Sequence, residues 1–235
     1  MKFHIRSLRP SRSWSFLAVI LFATGCITIE EHYTFKKNGS GTMEYVVDMS
    51  SMLGLKDVFD KSGDRGKERK KDKGTNDGPM TTGFDERAKQ LKGLEGIKRV
   101  KQKNKKDGFV QSLSFAFADV DALNRALNVL MPDSTGVQQT FFHWEGNTLV
   151  RTNNQYAKEL GGDMAGDPDS NDQSDILESM KYTYSFKFAE KVKEVKRAEG
   201  VTQESPSAKK LELATDWAVI MKDPEALDLR ITLDK

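Results

Sequence analysis

Cys26 is the only cysteine of the chain, and the residues before it have the composition of an export signal. Four basic residues fall within the first twelve positions, and an apolar run follows at 14–23. The small residues Ala23 and Gly25 stand close before the cysteine. A basic segment, a short apolar segment and a small-residue cleavage site, in this order, are typical of a secretory signal peptide. Residues 1–25 are therefore predicted to be a signal peptide.

The sequence Ala23-Thr24-Gly25-Cys26 resembles the cleavage site of bacterial lipoprotein precursors. This resemblance implies cleavage between Gly25 and Cys26 and lipidation of the Cys26 thiol. Two alternatives exist. Ala23 and Gly25 also suit ordinary signal peptidase, which would release a secreted or periplasmic protein. The second alternative is a membrane anchor that is never cleaved, but the apolar run is much shorter than the roughly 20 residues of a spanning helix.

The charge of the chain depends on where it is cut. The full sequence has a formal net charge of +2. Four of its 37 basic residues lie in residues 1–25, which contain no acidic residue, so the remainder has 33 Lys and Arg against 35 Asp and Glu. The alkaline isoelectric point is thus partly a property of the signal, and no nucleic-acid partner is expected. The basic stretch at 67–73 has two interpretations, contact with an anionic bilayer or a solvated loop.

Residues for nucleophilic catalysis are scarce after position 26. The histidines are His32 and His143, and the sequence contains neither a Gly-x-Ser-x-Gly motif nor a cysteine–histidine pair. A zinc-type cluster and a phosphate-binding glycine loop are also missing from the sequence. We therefore predict no catalytic residues and no cofactor, and we do not expect an enzyme.

One acidic segment matches a calcium loop in part. Oxygen-bearing side chains stand at loop positions 1, 3, 5, 9 and 12, which are Asp167, Asp169, Asn171, Asp175 and Glu178. Position 6 is Asp172, where the sharp turn of such a loop requires glycine. A solvated acidic loop is the favoured interpretation, and no metal site is predicted.

The segment after Cys26 predicts a β-hairpin. Large apolar residues occupy odd-numbered positions of the first run, and they are Ile27, Ile29, Tyr33 and Phe35. Residues 37–41 are rich in types that tolerate turns, and a second alternating run follows at 43–49. Alternation of this kind is typical of strands with one buried face.

The rest of the chain alternates in the same way, with two polar interruptions. Helices are predicted at 50–59, 84–94 and 120–131, the last capped by Asp119 or Asp121. Strands are predicted at 97–103, 109–117, 138–144, 148–152, 182–188, 211–221 and 227–233, with a turn-like break at 199–208. Residues 61–82 and 161–175 have too few apolar residues to form a core, and disordered loops are expected there.

These elements predict a single membrane-anchored α+β domain over 26–235. Because nearly every strand has one apolar face, a mainly antiparallel sheet of roughly 8–10 strands is expected, covered on one face by a few amphipathic helices. The strand-turn-strand opening directly after the cysteine resembles the LppM-like group of envelope lipoproteins. This resemblance implies a domain of the bacterial cell envelope.

The sequence therefore predicts a lipid-anchored envelope lipoprotein that acts as a non-enzymatic binding or interaction module. The bilayer is the partner of lipidated Cys26, and an envelope protein or lipid is expected as a further partner. In a Gram-negative cell, Ile27 after the cysteine favours the outer membrane. The alternative is a carrier that holds a hydrophobic ligand between sheet and helices, for which an enclosed apolar cavity of several hundred Å³ is the diagnostic feature.

Overall fold

The computed structural model describes residues 27–55, 83–133, 135–157, 173–223 and 225–234. Within these ranges the chain forms eleven strands in two sheets, with helices between them. The α+β class is therefore confirmed. Cys26, the predicted signal and the predicted loop at 61–82 lie outside the described residues.

The larger sheet has seven strands in the order β3-β4-β2-β1-β7-β10-β9. Its strands are β1 (Thr28–Phe35), β2 (Gly41–Asp48), β3 (Ile97–Lys105), β4 (Val110–Phe117), β7 (Lys181–Phe188), β9 (Thr202–Ser207) and β10 (Lys210–Asp216). All neighbours are antiparallel except β1 and β7, which run parallel with Thr28 opposite Lys181. The mainly antiparallel character is thus confirmed, with one parallel pair at the centre.

The smaller sheet has four antiparallel strands in the order β5-β6-β11-β8. They are β5 (Phe142–Glu145), β6 (Thr148–Arg151), β8 (Val192–Arg197) and β11 (Leu229–Leu233). This sheet lies over the apolar face of the larger one, and aromatic rings of both meet between them. Tyr33 of β1 lies 5.1 Å from Phe142 of β5, measured between ring centroids. Helices were predicted to cover this face, and a second sheet shares that role with them.

Four α-helices have defined bounds among the described residues. They are α1 (Phe84–Lys92), α2 (Val120–Leu130), α3 (Gln173–Ser179) and α4 (Trp217–Lys222). Short 3-10 helices span Ser50–Leu55 and Lys106–Gly108. No described helix has both the length and the apolar character needed to cross a membrane.

The hairpin β1–β2 has the predicted register, from Thr28 opposite Asp48 to Phe35 opposite Gly41. Its turn is closed by Asn38, whose side-chain oxygen accepts hydrogen bonds from Ser40. The helix at 120–131 is also confirmed. Asp119, one of the two predicted caps, accepts a hydrogen bond from the backbone amide of Ala122 at 2.8 Å.

Three predictions about the second half of the chain were wrong. The predicted strand 211–221 ends at Asp216, because the Asp216 side chain accepts a hydrogen bond from the amide of Val219 and caps α4. The predicted break at 199–208 contains β9, and β8 precedes it. The predicted strand 138–144 begins only at Phe142, because the Asn128 side chain of α2 takes the backbone hydrogen bonds of Gln139. Most of the predicted loop 161–175 lies outside the described residues, and α3 begins at Gln173.

Gly41 is the position in the hairpin where a side chain has no room. A Cβ there would lie 2.0 Å from the backbone oxygen of Thr34 and 2.4 Å from the ring of Phe117. Gly41→Ala is expected to reduce the free energy of unfolding by about 3 kcal/mol or more, because backbone must move to relieve the contact. Gly39→Ala is the matched control. A Cβ at Gly39 meets nothing within 4 Å, and only the positive φ of 79° at this position opposes the change. The free energy of unfolding should therefore fall by about 1–2 kcal/mol. Urea denaturation of both variants measures the difference, and equal losses would contradict the packing described.

Candidate functional site

The end of the larger sheet that follows Cys26 is ordered from its first described residue. Ile27 is buried, and its carbonyl accepts a hydrogen bond from the amide of Lys181 at 2.9 Å. Strand β1 then begins at Thr28. Ile27 is therefore the only residue between the predicted lipid attachment point and the central strands of the domain.

Glu31 lies on the inward face of β1, among apolar side chains. It is 0% exposed, and its partner Arg151, the last residue of β6, is 2% exposed. Arg151 Nη1 lies 2.8 Å from Glu31 Oε2, and Nη2 donates to Oε1 at 3.2 Å. The sequence analysis did not identify this pair. The available signal was the parity of Glu31, which matches that of Ile29 and Tyr33, because a buried carboxylate requires a cationic or hydrogen-bonding partner.

Three tyrosine hydroxyls complete the shell around the Glu31 carboxylate. Tyr33 donates to Oε2 at 2.8 Å, and Tyr156 donates to Oε1 at 2.7 Å. Tyr182 donates to the same Oε1 oxygen. Burial raises the pKa of all three phenols well above the usual value, and the Glu31 charge raises it further. The three hydroxyls therefore remain protonated and act as donors.

Arg151 is held by further contacts on its own side of the pair. Its Nε donates to Asn154 Oδ1 at 2.8 Å, and Asn154 Nδ2 donates to Asp228 at 2.7 Å. The guanidinium carbon lies 5.0 Å from the ring centre of Tyr184 and 5.6 Å from that of Phe142. These distances are in the range of cation–π attraction.

This cluster joins the two sheets, since Glu31 and Arg151 belong to different ones. Its near-zero exposure leaves no route for a substrate, so the arrangement is suited to fixing the sheets against each other. A buried pair of this kind is strongly destabilising when one partner is removed, because the other charge remains in a medium of low polarity.

Removal of one charge of this pair provides a stability test. Arg151→Met is expected to reduce the free energy of unfolding by about 3–5 kcal/mol, because Glu31 is left buried and unpaired. The double variant Glu31→Leu/Arg151→Met should recover part of that loss, although three tyrosine hydroxyls then lose their acceptor. Arg230→Met, which breaks an exposed ion pair with Glu145, is the control and should cost less than about 1 kcal/mol. A double variant less stable than Arg151→Met alone would contradict this account.

The opposite face of the larger sheet is open to solvent and carries polar side chains. A depression of about 350 Å³ lies over β1, β2, β4 and β3 on this face. Its polar lining residues are His32, Thr34, Thr42, Glu44, Arg99, Lys101 and Ser114. This is where the structure brings titratable, hydroxyl-bearing and cationic groups together on an accessible surface.

His32 lies beside the depression between a hydroxyl and a carboxylate. Its Nδ1 is 2.8 Å from Ser185 Oγ, and its Nε2 is 2.9 Å from Glu30 Oε2. Serine, histidine and a carboxylate are the groups of a hydrolytic triad, but the backbone amides of β1 and β7 around Ser185 belong to the interior of the sheet ladder. They do not form the paired donors of an oxyanion hole.

The hydrogen bond that His32 Nε2 donates to the Glu30 carboxylate raises the pKa of His32 above the ordinary value of 6.5, although partial burial opposes the shift. A histidine with a raised pKa in the folded state contributes stability below its unfolded pKa, and this contribution is lost as the pH rises through the folded pKa. An NMR titration of the imidazole should therefore give a pKa of His32 above 6.5. Glu30→Gln should lower the value, because the carboxylate acceptor is removed. A midpoint at or below 6.5 in the wild type would contradict the contact.

The other residues singled out from the sequence are dispersed. His143 is half-exposed, with Nε2 3.1 Å from Glu145. Asp175 and Glu178 are exposed on α3. The other three residues of the calcium pattern, Asp167, Asp169 and Asn171, lie outside the described residues. Among the described residues no group of three or more His, Cys, Asp and Glu side chains is arranged to hold a metal ion.

Comparisons with known proteins give one structural likeness. No protein-family model matches the chain, and no curated protein matches it. The fold is similar to the NMR structure of the folded domain of the LppM protein of Mycobacterium tuberculosis, with a TM-score of 0.42 and 11% sequence identity. The likeness covers 92% of this chain and 93% of that one. A score and identity this low carry no argument about function or about the roles of residues.

Proposed function

We propose that this protein is a lipid-anchored lipoprotein of the cell envelope whose domain acts as a non-enzymatic interaction module at the membrane surface. The sequence Ala23-Thr24-Gly25-Cys26 supports the anchor itself, and the position of Ile27 determines how close an anchored domain would lie to the bilayer. Ile27 is buried in the domain immediately after Cys26, and β1 starts at the next residue. A lipid on Cys26 would therefore hold the sheet itself at the bilayer, without a flexible tether.

The packing between the sheets supports an interaction module over a carrier of hydrophobic ligands. The Tyr33 and Phe186 rings stack at 5.1 Å between centroids, and those of Phe35 and Phe188 stack at 5.7 Å. Phe142 of the smaller sheet contacts both stacks edge-on. Space that an acyl chain would occupy in a carrier is filled by these rings in the described part of the chain.

The surface depressions do not have the character of an acyl-chain site. Charged and hydroxyl-bearing side chains contribute to the lining of the depression on the outer face, and a second depression of about 260 Å³ lies beside the β1–β2 turn. The second includes Trp144 and Phe188 in its lining, but Lys36, Lys37 and Glu190 line it as well. A ligand pocket for an apolar molecule is expected to be enclosed and predominantly apolar. Recognition on this domain is therefore proposed to occur at its outer surfaces.

The membrane is proposed to be the outer membrane if the cell is Gram-negative, because Ile27 follows the cysteine. Partner proteins or lipids would meet the domain close to the headgroups. In this arrangement the domain needs no chemical step, and His32 and Ser185 serve as surface polar groups.

Replacement of Cys26 tests the anchor. Cys26→Ser is expected to abolish incorporation of labelled fatty acid and cleavage before residue 26, since the acylated thiol is removed. The wild-type protein should partition with detergent-extracted membranes, because several acyl chains together hold a protein firmly. Ser185→Ala, expressed in parallel, controls for the loss of a side chain elsewhere and should be labelled like the wild type. Equal labelling of Cys26→Ser and the wild type would refute the anchor.

A further inference from the structure

Strand β3 and the turn after it form a continuous basic edge. Six exposed cations occur between positions 98 and 106 without an acidic residue, and they are Lys98, Arg99, Lys101, Lys103, Lys105 and Lys106. None of them has an ion-pair partner among the described residues. Some cations elsewhere on the domain are paired, as with Lys210 and Glu212 or Lys181 and Asp216. The basic edge therefore carries an uncompensated positive charge.

A β-bulge places Arg99 in an unusual conformation on this edge. The register between β3 and β4 shifts between Lys98 and Lys101, so that Arg99 and Val100 together occupy a space that one residue would fill in a regular ladder. Arg99 has a φ of +56°, in the left-handed region that favours glycine at such a bulge. A non-glycine residue held there points to a function for its side chain.

The bulge determines which side chain reaches the outer face. Val100 packs against the core, while Arg99 is exposed and lines the outer-face depression together with Lys101. In an unbroken strand Arg99 would have the inward parity, opposite Phe115. Ser114 of β4 adds a hydroxyl next to the two cations, and the far side of the lining consists of Thr42 and Glu44 of β2 and His32 and Thr34 of β1. Two cations beside a hydroxyl form a suitable surface for a phosphate-type oxyanion.

Protection of a free sheet edge is the alternative explanation for these lysines, since charged residues prevent edge-to-edge pairing. The other edge of the same sheet, β9, contains Pro206 and Glu204 and no cation. Six cations, one of them an arginine with a positive φ, exceed what that role requires.

We infer that the basic edge binds an extended anionic polymer that carries phosphate groups along its length. Lys101, Lys103 and Lys105 pair with successive outward residues of β4 and share one face of the strand. Their spacing is about 6.7 Å, two residues of strand rise. A row of cations at this repeat, with the Arg99 depression near one end, fits a linear chain of charges better than a single ion.

Phosphate groups of a polymer and of bilayer headgroups could both bind these cations. The choice of the polymer rests on the proposed lipid anchor, which fixes the position of the sheet relative to the bilayer. His32 and Thr34 in the depression are five and seven residues along β1 from Ile27, which places them about 17–23 Å from the anchor. Through β4 and β2, the strand register places Lys105 level with Thr28, beside the anchor, and Lys101 level with His32, so the basic edge runs away from the anchored end of the sheet. Headgroups beside the anchor would reach only the end of the row at Lys105 and Lys106, whereas a linear polyanion can follow the row as far as Arg99.

The test uses the full-length protein in detergent and long-chain linear polyphosphate as the probe. Lys101→Gln/Lys103→Gln/Lys105→Gln is expected to weaken binding by about tenfold or more and to reduce its salt dependence, because fewer counterions are released. The matched control is Lys191→Gln/Lys193→Gln/Lys196→Gln at the other basic edge, β8, and it should remain within about twofold of the wild type. Equal losses in the two triple variants, or no binding by the wild type, would overturn the inference.

Arg99→Gly separates binding from folding. Glycine relieves the positive φ, so the melting temperature should stay the same or rise, while polyphosphate affinity falls several-fold. A lower melting temperature with unchanged affinity would show that Arg99 has only a structural role.

Two competitors identify the source of the phosphate. Pyrophosphate and mixed micelles containing phosphatidylglycerol should each compete poorly with polyphosphate. Competition by pyrophosphate at equal phosphate concentration would show a single-ion site, and competition by the micelles would show a headgroup site; either result overturns the polymer. Failure of this inference leaves fatty-acid labelling of Cys26 unaffected, so it is distinguishable from failure of the anchor.

Discussion

The buried charge of Glu31 is the constraint on which the arrangement of the two sheets depends. A carboxylate without exposure is stable in an apolar interior only when its partners surround it. Arg151 supplies the opposite charge from the smaller sheet, and three tyrosines supply hydroxyl donors. Sliding one sheet over the other would separate these groups, so the cluster favours one alignment. The same strand, β1, begins at Thr28, so a lipid on Cys26 would be joined to the best-fixed part of the domain through Ile27 alone.

The interior between the two sheets is filled by side chains, and polar side chains lie on the outer surfaces. Stacked aromatic rings occupy the space between the sheets, while the outer face of the larger sheet carries hydroxyls and charges of both signs. A row of six exposed cations without an ion-pair partner among the described residues lies at β3 and the turn after it. A molecule built in this way is suited to recognising partners at an edge or face, and the proposed lipid on Cys26 would determine which of these surfaces face away from the bilayer.

Alternation of apolar and polar residues was sufficient to predict the elements that pack against the core. The β1–β2 hairpin, β7 and α2 have strong periodic patterns, and the structure confirms them. Strands β8 and β9 were missed because they lie at sheet edges and are mostly exposed, so no alternation marks them. The end of β10 was misplaced because Trp217, Val219 and Met221 continue the strand parity, whereas the capping hydrogen bond of Asp216 starts a helix. The parallel pairing of β1 with β7 joins residues more than 150 positions apart, and local patterns contain no information about it.

The candidate sites were less predictable than the fold. Cys26 was identified from local composition alone. The Glu31–Arg151 pair needs knowledge of which strands face each other, and the exposed position of Arg99 depends on a bulge that the sequence does not mark. Mass spectrometry of the N-terminal peptide of the mature protein, isolated from its native membranes, tests the central claim most directly. If the protein is a lipoprotein, this peptide begins at Cys26 and carries the mass of covalently attached acyl chains. A mature peptide that begins elsewhere, or a Cys26 peptide with an unmodified thiol and amine, would contradict that claim.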